Sequence, residues 1–335
     1  MTSVVVSAGL SNPSSTRSTG HAEERQSLPL GFLNIPLDPI NSSGVTVKIF
    51  RARRLHTVSL LTLIGMLALT STSASQAAGN ADSRRSATST PPSSEAKPKP
   101  TVVLVHGAWA DSSGWAKVTR GLQAQGYQVL APPTPLRGLR EDSEYLAAFL
   151  RDRTTGPVVL VGHSYGGAVI TNAGTSDKDV EALVYINAFV PDAGDSILGL
   201  LDPNHELNPA DLFDFVQYPG APDGDHDLYL KQSVFPDAIA NGIPARAAAA
   251  MAAAQRPVTL SALTAESAAP AWKSLPSFYL LGTQDHIVPA ALQSAMAKHA
   301  GAKITTVKAG HLPMITNPHT VEALIVEADR STPTR

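Results

Sequence analysis

From Thr101 onward, short continuous apolar runs alternate with longer stretches whose apolar residues recur at helical spacing. Thr101–Val105 (TVVLV) and residues 157–161 (PVVLV) have no polar alternation, as expected of strands covered on both faces. Residues 127–131, 180–187, 277–281 and 303–308 are the other predicted strands. Between them, residues 115–125 have helical spacing and stop at Gly126, and residues 143–153 are predicted helical with Ser143 as the cap. Residues 168–174 continue a helix, and residues 321–328 form a closing one. This alternation predicts βαβ units and a mostly parallel central sheet with helices on both faces.

The alternation breaks between residues 191 and 276, where prolines, an acidic cluster and an alanine-rich helix near 245–255 replace it. A segment of that kind, inserted between strands, is expected to form a cap or lid that shapes a pocket and excludes water. The domain as a whole is assigned to residues 101–330.

The first hundred residues have a different character. Residues 1–44 are polar without a sustained apolar period and read as a disordered or misassigned N-terminal extension. Lys48, Arg51, Arg53 and Arg54 then precede an apolar run over 60–69, followed by small residues up to Ala78. A basic region, a short apolar region and a small-residue zone make a secretory signal over 45–78, with cleavage expected after Ala77. Because such a signal normally opens a chain, translation is expected to start near Val45. The apolar run is too short for a comfortable membrane span, so no stable insertion of the mature domain is expected. An uncleaved anchor is the alternative. Residues 79–100 are rich in Ser, Thr, Pro, Ala and Lys, the composition of a flexible linker. The localisation expected is secreted or periplasmic.

Bulk composition narrows the chemistry. The 335 residues are 43% hydrophobic and 16% charged, which suits a globular domain with a large core. A formal net charge of -2 gives no sign of a nucleic-acid partner. The absence of cysteine excludes disulfides, thiolate metal sites and cysteine nucleophiles.

The sharpest motif is Gly162-His163-Ser164-Tyr165-Gly166, set between an apolar strand and the helical run Gly167-Ala168-Val169-Ile170. Strand, tight turn and helix are the context of a nucleophile elbow. Such a turn strains the serine backbone, needs glycines beside neighbouring elements, and puts Ser164 at a helix N-terminus. An oxyanion needs two N–H donors. Tyr165 is one candidate, and Ala108 in the loop His106-Gly107-Ala108-Trp109 is the other. Gly107 allows close backbone approach, Trp109 is a candidate for the pocket wall, and His106 and His163 are expected to serve structure.

A serine nucleophile needs a base oriented by a carboxylate, in this setting in the chain order Ser, Asp, His. His311 follows a predicted strand in a loop with Gly310 and Pro313. Asp285 follows another through Gly282-Thr283-Gln284. Asp192 or Asp195 is the alternative acid. His286, His299 and His319 are expected to lie outside the site. Three loops would then converge on the C-terminal edge of a parallel sheet.

On Val105-His106-Gly107-Ala108-Trp109, the elbow with Gly167, Gly282-Thr283-Gln284-Asp285 and Gly310-His311, residues 101–329 resemble the α/β-hydrolase superfamily. Within it they are similar to the branch of plant methyl-ester hydrolases, hydroxynitrile lyases and bacterial esterases. The resemblance implies the α/β-hydrolase fold and a Ser164-His311-Asp285 triad acting on a small, largely apolar ester, without metal or organic cofactor. The lyases of that branch carry threonine at the position of Gly107 and lysine after the histidine, where this chain has Gly107 and Leu312. The resemblance therefore favours hydrolysis. A lyase, a cofactor-free peroxidase and a non-catalytic ligand-binding homologue are the alternatives.

Overall fold

The computed structural model describes residues 98–332, all within the compact unit Ser86–Arg335. The extension over 1–44, the signal segment over 45–78 and most of the linker lie outside the described residues.

In chain order the domain begins with β1 (Thr101–Val105), α1 (Ala116–Ala124), β2 (Gln128–Leu130), α2 (Leu139–Arg153), β3 (Val158–His163), α3 (Tyr165–Ala173) and β4 (Val180–Ile186). Next come the short strands β5 (Phe213–Val216), β6 (Asp227–Leu230) and β7 (Val258–Thr259), with the helix Ala245–Ala253 between the last two. The chain closes with β8 (Ser277–Gly282), the helix Ala290–His299, β9 (Lys303–Val307) and the helix Pro318–Ser331.

Six strands form one sheet in the order β2-β1-β3-β4-β8-β9, and every neighbouring pair is parallel. The predicted α/β architecture is therefore observed. Strands β1, β3, β4 and β8 are buried along their whole length, as their mostly apolar sequences suit, although β4 also buries Glu181. The chain passes from β1 outward to β2 and returns to β3 on the other side of β1. The direction of winding thus reverses between β1 and β3, where open α/β sheets leave a crevice at their C-terminal edge.

Some boundaries differ from the sequence reading. Helix α2 starts at Leu139, with Gly138 at its N-cap, so Ser143 is not the cap. Leu139 is 2% exposed, and its burial draws the chain into the helix a turn earlier. Ser143 Oγ instead donates to the Leu139 carbonyl at 2.6 Å from inside the helix. Glu141 and Asp142 in the first turn and Arg151 and Arg153 in the last suit the helix dipole. The closing helix runs past its predicted 321–328 at both ends and carries proline at its start, where a missing N–H costs nothing.

Between β4 and β8, strands β5, β6 and β7 pair antiparallel as a small second sheet. Arg137, in the loop after β2, pairs with Asp227 of β6 at 2.7 Å. Among the described residues no helix is long and apolar enough to cross a membrane.

Candidate active site

Ser164 follows β3 directly and caps α3 with φ 52° and ψ −124°, a left-handed-side conformation that costs a non-glycine residue of the order of 1–3 kcal/mol. The surroundings hold it there. Its carbonyl accepts from Gly167 N at 2.9 Å and Phe189 N at 3.1 Å. A Cβ on Gly162 would lie 2.5 Å from the Gly166 carbonyl oxygen, and one on Gly166 would lie 2.7 Å from the carbonyl oxygen of Val105. A Cβ on Gly167 would lie 2.4 Å from the Phe189 carbonyl oxygen. Each glycine is thus required by a backbone that passes too close for a side chain.

The first N–H groups of α3 have no partner within the helix and collect the positive end of its dipole beside Ser164. Tyr165 contributes its backbone only, since its ring is buried and its hydroxyl donates to Asp142 Oδ2 at 2.7 Å.

The loop after β1 supplies the second candidate donor. Thr134 N–H donates to His106 Nε2 at 2.9 Å, so that nitrogen is unprotonated and the proton resides on Nδ1. Nδ1 donates to the Gly107 carbonyl at 2.8 Å. Burial lowers the His106 pKa to about 4, which keeps this neutral tautomer. Holding the Gly107 carbonyl fixes the Gly107–Ala108 peptide plane, and a trans peptide aims Ala108 N–H the opposite way. Trp109 follows with φ 55°, held by its Nε1–H donating to the Leu228 carbonyl at 2.9 Å and by stacking on Phe213 at 5.6 Å. The loop is therefore anchored to the small antiparallel sheet.

On the other side of β3, Asp285 and His311 meet as expected. His311 Nδ1 lies 2.8 Å from Asp285 Oδ2, with side-chain exposures of 2% and 0%. In neutral His311 this contact places the proton on Nδ1 and leaves the Nε2 lone pair free. Asp285 Oδ1 accepts from Ile287 N and Val288 N at 2.9 and 3.0 Å. Burial pushes the Asp285 pKa up, but the His311 ring and these hydrogen bonds outweigh it and hold the carboxyl below its ordinary value.

His163 joins the two halves. Its Nε2–H donates to the His311 carbonyl at 2.8 Å, and the two rings are 4.7 Å apart. Burial first, and then the neighbouring His311, keeps His163 well below the usual imidazole range and therefore neutral. Its Nδ1 is buried without a partner.

The alternative acid Asp192 is engaged elsewhere, by Lys273 at 2.7 Å and His299 at 2.9 Å. His286 contacts Asp237, and His319 is 93% exposed on the closing helix. Sequence reasoning missed Asn187, whose Nδ2 donates to Asp285 Oδ2 and to the Gly310 carbonyl, each at 2.9 Å. It also missed Gln293, which donates to Asp285 Oδ2 at 3.2 Å. The one available signal was a polar residue closing the apolar run over 180–187.

A cavity of about 360 Å³ adjoins these loops. Trp109, Leu312 and Met314 form part of its wall, facing Phe235, Ile239 and Met251 of the inserted segment. Trp109 and Leu312 thus both line this cavity.

Residues 102–324 match the family model of the alpha/beta hydrolase family, and the chain belongs to that family. It is 30% identical to the alpha/beta hydrolase nvfD of Aspergillus novofumigatus, over 69% of this chain and 96% of that protein. It is 38% identical to a carbendazim-hydrolyzing esterase of Nocardioides, over 30% of this chain and 46% of that protein. Among solved structures, polyneuridine aldehyde esterase superposes with a TM-score of 0.59 at 22% identity, covering 69% of this chain and 99% of that one, which is a likeness of fold.

Proposed function

We propose that this protein is a serine carboxylic-ester hydrolase working through an acyl-enzyme. The observation that carries the reading is the buried Asp285–His311 hydrogen bond, which leaves His311 Nε2 as a base on the sheet edge that presents Ser164. In the proposed cycle, His311 Nε2 takes the Ser164 hydroxyl proton as Oγ attacks the ester carbonyl. The N–H groups of Ala108 and Tyr165 hold the oxyanion. The C–O bond to the alcohol breaks, and His311 returns its proton to the leaving oxygen. Water then repeats the sequence on the acyl-enzyme, releasing acid and restoring Ser164. Asp285 holds the imidazole tautomer and stabilises its cation.

The apolar cavity beside Trp109 and Leu312 supports a small, largely apolar substrate, with residues 191–276 acting as a cap that shapes it. The relative described as a carbendazim-hydrolyzing esterase supports ester chemistry of this kind. Lyase chemistry is disfavoured at Gly107, where a Cβ would lie 2.7 Å from Ser164 Cβ, and at Leu312, which offers no cation for a leaving cyanide. Export by the segment over 45–78 to a secreted or periplasmic location is part of the same proposal, and it is tested by sequencing the N-terminus of the mature protein.

Turnover of a short-chain p-nitrophenyl ester is the direct test. Wild type is expected to hydrolyse it, and Ser164→Ala is expected to lose about 10³- to 10⁶-fold in kcat. Equal rates in the two proteins would refute the reading.

A further inference from the structure

We infer that Asn187 is a positioning residue for the acid–base pair, a role that rests on the triad proposed above: its carboxamide ties the loop of the acid to the loop of the base. Asn187 is fully buried one residue past β4. Both protons of its Nδ2 are used, one on Asp285 Oδ2 and one on the carbonyl of Gly310, the residue before His311, each at 2.9 Å. Its backbone N–H donates to the Leu280 carbonyl at 3.0 Å, which pins the residue to β8.

Two unfavourable features accompany this arrangement. Asn187 adopts φ 45°, and its Oδ1 is buried without a partner. Neither is needed to fill space, because a smaller apolar residue would leave no orphaned oxygen. Gly282 keeps the place open, since a Cβ there would lie 2.3 Å from Asn187 Nδ2. Gln293 provides an internal contrast. Its amide contacts Gly282, Asp285 and Val288, all within the acid's own loop and its borders. Asn187 alone of these two amides spans both loops.

The test compares the full-length chain with Asn187→Ala and Asn187→Asp, using kcat and KM on a p-nitrophenyl ester. Rates are normalised to Ser164 labelled by a fluorophosphonate. Asn187→Ala is expected to lower kcat about 10- to 100-fold with KM changed little, as expected when a reacting group is misplaced. Asn187→Asp keeps the shape and adds a carboxyl facing Asp285, with His311, His163 and the Tyr279 hydroxyl as the other titratable neighbours. Two buried carboxyls this close share one proton, so Asn187→Asp keeps a donor to Asp285 but loses the one to the Gly310 carbonyl, and kcat is expected to fall with KM little changed. If Asn187 served structure alone, both variants would lower Tm and the labelled fraction. Rate per labelled Ser164 would then match wild type, and that result overturns the inference even if Asn187→Ala folds poorly. Wild type that neither labels nor turns over would instead overturn the triad reading, and this inference with it.

Discussion

The elbow around Ser164 and the inserted segment between β4 and β8 are built on opposite principles. At the elbow, a Cβ added to Gly162, Gly166 or Gly167 would lie 2.4–2.7 Å from a backbone oxygen, and buried neutral histidines stitch the loops together. In the insertion, Gly220 and Gly224 turn with φ 78° and 83° into open space, and Phe215 and Val216 are 43% and 44% exposed. One region leaves its backbone no room for added side chains. The other is held through side chains, among them Phe235 and Ile239 in the core, the Arg137–Asp227 ion pair and the Trp109–Phe213 stack. In the proposed reading the elbow holds the chemistry and the insertion shapes the pocket, because loops on a rigid scaffold are where specificity changes at least cost to the fold.

Glycine substitutions should separate the two regions by the widest margin. Gly167→Ala forces a Cβ against the rigid Phe189 carbonyl and is expected to cost about 3 kcal/mol or to prevent folding, as overpacking against backbone does. Gly224→Ala meets no neighbour and carries only the cost of its positive φ, about 1 kcal/mol. Urea unfolding of the two variants measures both. Similar costs would show that the two regions do not differ as described.

Acid should single out the elbow next. His106 has its folded pKa lowered from 6.5 to about 4, so the unfolded chain takes up the proton first. Stability is then lost as pH falls from about 6.5 toward 4, by about 3 kcal/mol from this one group. His163, also held neutral, adds to the loss in the same direction. Melting at pH 7, 6 and 5 should show a steady fall in wild type that is shallower in His106→Gln.

Contacts of the insertion should matter less. Trp109→Phe keeps the aromatic stack but loses the hydrogen bond to the Leu228 carbonyl, for about 1 kcal/mol and a raised KM. Arg137→Met removes an ion pair whose arginine is 39% exposed, and solvent screening limits the loss to less than about 1 kcal/mol. A Trp109→Phe variant with wild-type KM would remove the link between the β1 loop and the pocket wall.

What could be read in advance follows the same boundary. The elbow was legible because its steric demands leave glycines at fixed spacing, and strand order brought Asp285 and His311 to one edge. Asn187 was not, because its partners lie 98 and 123 positions away and its only mark is polarity at the end of an apolar run. Trp109 gave no sign of its φ of 55°, which tertiary contacts impose. The antiparallel β5–β7 sheet was also missed. Its strands have two to four residues, too few for a period to show. The early start of α2 escaped notice because burial of Leu139, rather than a capping side chain, sets it.

Intact-protein mass spectrometry after fluorophosphonate treatment asks directly whether Ser164 is an activated nucleophile. A single adduct that maps to Ser164 is expected, with none on the Ser164→Ala variant. An unmodified wild-type chain, or an adduct on another residue, would contradict that role.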